Sequence, residues 1–97
     1  MLRTQHNAWL HLGATLAVCS CGWGLRVSAA DWRWLIAAIT LVWAAEALNT
    51  AIEVVCDVIS PGYHPAIGTA KDIAAGAVLL CAIGAFLIGG LTLAPYV

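Results

Sequence analysis

Four polar side chains in an oily stretch carry most of the chemistry this sequence can offer. Glu46, Asn49, Glu53 and Asp57 fall at i, i+3, i+7 and i+11. At about 100° of rotation per helical residue they fit inside an arc of roughly 80°, one narrow polar stripe on an apolar helix. The turn Ser60-Pro61-Gly62-Tyr63-His64-Pro65 follows, and Lys71-Asp72 opens the next apolar run. Acids and a lysine on adjoining helix ends suit magnesium and nucleotide phosphates. Magnesium keeps several waters and asks for one or two protein carboxylates beside substrate phosphates. Glu53, with Asp57 one turn on, answers that demand. Lys71 is a point charge for phosphate, and Asp72 can orient it or accept a hydrogen bond from the nucleotide. Glu46, the deepest of the acids, is the candidate base for a lipid hydroxyl. Phosphoryl transfer asks for little more: in-line positioning, neutralised phosphates and an oriented attacking hydroxyl.

The elements that must hold these groups are set by composition. The chain has 97 residues, 63% of them hydrophobic and 9% charged, with a mean hydropathy of +0.94. One small domain cannot hide that much apolar surface from water, so the solvent must be lipid. The formal net charge of −1 and the lack of a basic cluster leave no case for nucleic acid. Cys19, Cys21, Cys56 and Cys81 sit inside apolar runs without the spacing or histidine partners of a zinc site, and read as small packing residues. Met1-Leu2-Arg3 ahead of an apolar run loosely resembles a cleavable signal. His11 interrupts that run, and cleavage near Ala29-Ala30 would leave only a two-helix remnant.

Three apolar spans can be drawn, at about 7–25, 32–59 and 65–94, all in one domain over 1–97. The first is just long enough to cross roughly 30 Å of hydrocarbon and carries Asn7 and His11 at i, i+4. A short polar linker, 26–31, ends in Asp31, the expected N-cap of the second span. That span is about 42 Å long at 1.5 Å per residue, so it must tilt or protrude. If Trp32 and Trp34 mark one interface, Glu53 and Asp57 lie in water beyond the other, with Glu46 just inside the boundary. Pro61 and Gly62 stop the helix, and Pro65 suits the first turn of the next. Small residues recur there at every fourth position, Ala66, Ala70 and Ala74, then Cys81, Ala85 and Gly89, a face for close packing in lipid. Three thin helices enclose a polar stripe poorly, which predicts a homo-oligomer. Arg3 and Lys71 on one side balance Arg26 and Arg33 on the other. Charge bias therefore leaves orientation open, and a nucleotide site places Lys71 in the cytoplasm. Trp23, Trp32, Trp34 and Tyr96 all fall at the opposite interface.

At Glu46-Ala47-Leu48-Asn49-Thr50-Ala51-Ile52-Glu53, then Asp57, Tyr63-His64 and Ala70-Lys71-Asp72, the sequence resembles the prokaryotic diacylglycerol kinase family, which includes the undecaprenol kinases. The match is specific from Glu46 to Leu80 and looser elsewhere, with Asn7-x-x-x-His11 resembling the start of the family's first span. The resemblance implies an all-α integral membrane protein, a homotrimeric helical bundle with three transmembrane helices per subunit and composite sites between subunits. It implies a multi-pass protein of the bacterial inner membrane that uses magnesium ATP to phosphorylate a membrane lipid alcohol. By motif, Glu46 would be the catalytic base, supported by Asn49, and Glu53 a magnesium ligand. Asp57, Tyr63, His64, Lys71 and Asp72 would lie around the nucleotide. The family's second metal ligand, a glutamate, is matched here by Gln5, whose amide oxygen brings no charge to the metal. The amphipathic surface helix that precedes the family's first span is almost absent. LNTAIE and the His64-Pro65 pair lean toward the undecaprenol kinase branch.

Gln5 and the short N-terminal stretch motivate an alternative: a catalytically weak or inactive member acting through binding or assembly. A proton or ion conductor would also line a helix with carboxylates, and Glu46 paired with Asn49 as structural glue is the blandest reading. The lysine at the foot of the last span separates the kinase from both, since neither needs it.

Overall fold

A computed structural model describes residues 6–59, 62 and 64–97, with side chains from residue 9 onward in the first helix. The expectations that fall on Gln5 and Tyr63 lie outside the described residues. Three helices follow one another: α1 (His6–Gly24), α2 (Ala29–Ile59) and α3 (Pro65–Leu93), the last running into a short 3₁₀ turn at Ala94–Tyr96.

Each junction has an identifiable local cause. α1 ends without a glycine in the left-handed position. Arg26 takes it, at φ 55°. The Val27 N–H donates to the Gly22 carbonyl (3.1 Å) and the Arg26 N–H to the Trp23 carbonyl (3.2 Å), the paired bonds of a Schellman end. Val27 is buried, as the apolar contact of that motif requires. Gly22 allows the chain to turn back closely, because a Cβ there would lie 2.8 Å from the Trp32 ring.

The N-cap of α2 is Ser28, not Asp31. The Ser28 Oγ accepts from the Asp31 N–H (3.2 Å), and the Ser28 carbonyl takes the first helical bond, from the Trp32 N–H (2.9 Å). The hydroxyl prevails because it stands at the junction, whereas Asp31 is already in the first turn, where its charge suits the helix dipole. The Asp31 carboxylate instead accepts from the Tyr96 hydroxyl, whose oxygen accepts from the Ser28 N–H (3.2 Å). The last turn of the chain is thereby tied to the start of α2. At α3, His64 is the N-cap: its Nδ1 accepts from the Ala66 N–H at 3.1 Å, with Pro65 at the first helical position.

α2 and α3 pack along each other, while α1 leans on α2 more lightly. The buried positions of α2 are Leu35, Ala38, Glu46, Asn49 and Cys56. These form one seam, so the acid stripe is the continuation of the packed face rather than a separate solvated one. α3 meets that seam with Ala74 and Val78. Small side chains there allow close approach. Large apolar groups face outward over most of the surface, including Trp23 at 82%, Phe86 at 81% and Leu91 at 78% exposure. Such a surface needs lipid or another protein against it. Among the described residues, two helices are long and apolar enough to cross a bilayer, Ala29–Ile59 and Pro65–Tyr96.

Candidate active site

The deepest polar group among the described residues is the Glu46 carboxylate, at 1% exposure. Neither of its oxygens has a hydrogen-bond partner among the described residues. Its nearest polar neighbour is His11 of α1, whose Nε2 lies 3.4 Å from Oε2. A carboxylate taken out of water without a hydrogen bond is costly, so this position demands a proton, a cationic partner such as protonated His11, or a ligand. His11 is held in place from two sides. Its carbonyl accepts from the Thr15 hydroxyl (2.7 Å), which in turn accepts from the Trp43 Nε1–H (2.9 Å). Its ring meets Trp43 edge-on, with centroids 6.3 Å apart. The backbone of Glu46 is tied down as well, because its carbonyl accepts from the Thr50 hydroxyl at 3.0 Å.

One turn along α2, Asn49 faces a different neighbour. It lines a groove between α2 and α3 that is otherwise apolar, with Ile73, Ala74 and Ala77 on the far wall. Its side-chain oxygen is buried without a hydrogen-bond partner among the described residues. Further on, Asp57 and Lys71 join α2 to α3 through an ion pair of 2.6 Å in which both side chains are substantially exposed. Glu53, half-buried between them and Asn49, is close enough for its charge to be felt at Lys71. Asp72 is exposed. His64, also exposed, is occupied as the helix cap.

The stripe is therefore graded by depth. From Glu46 to Asp57 the helix rises about 16 Å. The inner end is sealed and the outer end open. Among the described residues no three His, Cys, Asp or Glu groups gather as a metal cage. The donors that are present fit a different mode, in which Glu53 or Asp57 gives one or two hard oxygens and substrate phosphates complete the shell.

His11 was visible in the sequence only as part of a motif. Its partner could not be read there. The available signal was a pair of facing patterns: His11 and Thr15 at i, i+4 in one apolar segment, Trp43 and Glu46 at i, i+3 in another.

Residues 1–93 match the prokaryotic diacylglycerol kinase family. The undecaprenol kinase of Bacillus subtilis is 39% identical over 93 residues, covering 96% of this chain and 76% of that protein. The diacylglycerol kinase of Synechocystis is 41% identical over 93 residues, covering 95% of this chain but 53% of its own length. That of Escherichia coli K12 is 43% identical over 72 residues, 74% of this chain and 58% of that protein. The chain belongs to the prokaryotic diacylglycerol kinase family, a family of lipid kinases.

Proposed function

We propose that this protein transfers the γ-phosphate of ATP to the hydroxyl of a membrane lipid alcohol, undecaprenol or diacylglycerol. The observation that carries the reading is the graded stripe. A sealed carboxylate at Glu46, beside His11, lies on the same helix as Asp57, which pairs with Lys71 of α3 at the open end. A nucleotide has its place at the wet end and an alcohol at the oily one.

In this reading Lys71 leaves Asp57 to hold phosphate oxygens, with Asp57 and Asp72 steering it. His64 borders the nucleotide beside the α3 N-terminus, as does Tyr63 by motif. Glu53 holds magnesium, assisted by Gln5. Held there, the metal would supply positive charge to offset that of the phosphates. Asn49 holds the reacting groups in register, and Glu46 is the carboxylate that finally receives the hydroxyl proton. α1 is the third membrane crossing of a single 1–97 domain. Three such chains form a trimer in the bacterial inner membrane, with Lys71 toward the cytoplasm and sites between subunits.

The test is a kinase assay on purified protein in micelles, offering diacylglycerol and undecaprenol side by side while magnesium is varied. Magnesium-dependent transfer to one of them is expected, reduced at least 10²-fold by Glu46→Gln. Equal rates in the parent and Glu46→Gln would remove Glu46 from the chemistry. Failure to transfer to either lipid would favour a binding or assembly role.

A further inference from the structure

We propose that His11 is a further catalytic residue of this site, the group that meets the lipid hydroxyl and passes its proton to Glu46. The inference rests on the lipid-kinase reading and deepens it. Glu46 is sealed at 1% exposure, whereas the side chain of His11 is 17% exposed. An apolar cavity of about 210 Å³ opens among all three helices, walled by Val18, Leu35, Val42, Ala85 and Phe86. His11 lines that cavity and Glu46 does not. With Nε2 3.4 Å from Oε2, the imidazole stands between the buried carboxylate and the space an alcohol can enter.

Among the described side chains, no other group offers this route. α1 carries, besides His11, only the thiols of Cys19 and Cys21 farther along its described side chains. α2 faces the site with Asn49, which does not titrate, and with Glu53 two turns away. α3 has no titratable side chain beyond Asp72 except Cys81. An imidazole can accept at one nitrogen while donating at the other, which makes it a proton shuttle.

The step balances. The alcohol O–H bond breaks, and its proton goes to Nδ1 of His11 as Nε2 releases its own to Glu46. The freed oxygen pair forms the bond to the γ-phosphorus of a nucleoside triphosphate. The bond from that phosphorus to the bridging oxygen breaks, and the nucleoside diphosphate leaves with that electron pair.

The experiment compares the parent, His11→Gln, Glu46→Gln and the double variant, using labelled ATP with both lipid alcohols in micelles. Glutamine offers an N–H toward Glu46 but cannot relay a proton. His11→Gln should lower kcat by about 10²–10⁴-fold with little change in KM and an unchanged unfolding temperature. The double variant should be no slower than the slower single one, because the two groups act as a unit. His11→Asn repeats the comparison if the glutamine variant does not fold. Near-parent activity in His11→Gln, or losses that multiply, would each overturn the proposal while leaving the kinase reading intact. No transfer by the parent would overturn both.

Discussion

Lys71 and Glu46 carry opposite kinds of burial cost, and each therefore fails differently when changed. The ammonium group of Lys71 is held by Asp57 at the open end of the stripe, where water screens the pair. Lys71→Ala should leave folding nearly untouched. In a kinase it should still lower the transfer rate by at least tenfold, because a phosphate loses its cation. Rates and unfolding temperatures measured together check this; a silent substitution would favour an ion-conducting role. Glu46 is the reverse case, since its carboxylate is sealed beside His11 and any replacement alters both packing and chemistry. The acid spacing that suggested a stripe was fully legible in the residues. The partner of Glu46 was not, because it comes from a segment 35 positions earlier in the chain.

Helix ends were legible where a single residue type forces the geometry, and less so where several compete. Pro65 fixed the start of α3 by its ring. Asp31 and Ser28 are both good caps in a sequence, and only the backbone path shows which stands at the junction. Arg26 is a residue no local rule places at a left-handed helix end. Arg26→Gly should relieve roughly 1 kcal/mol of that strain, offset in part by a freer unfolded chain. Thermal unfolding in micelles should show a modest rise. Gly22→Ala should act in the opposite sense. The added methyl meets Trp32 at 2.8 Å, so the ring must move or α1 must swing away from α2. Overpacking of this kind costs about 1–3 kcal/mol, and a lower unfolding temperature with altered tryptophan fluorescence checks it.

At the scale of the molecule, one chain is too thin to be its own enclosure. α1 touches α2 lightly, apolar cavities open on both sides of the α2–α3 pair, and large apolar side chains face outward along its length. Neighbouring copies in a trimer would cover these faces and complete the sites. An equal mixture of Glu46→Gln and Lys71→Ala chains, refolded together, should then regain part of the activity that each lacks alone. Persistent inactivity of the mixture would mean that each site draws these two groups from one chain.

The sequence alone determined the solvent, the helical periods and the set of reactive groups. Those follow from composition and from spacing within a single element, which need no knowledge of neighbours. Tertiary structure decided that the acid stripe is the packed seam of α2, that Asp57 pairs with Lys71, and that His11 stands against Glu46. Contacts between helices depend on their relative rotation and rise. In an almost uniformly apolar chain many rotations bury similar area, so only the assembled packing selects which side chains meet.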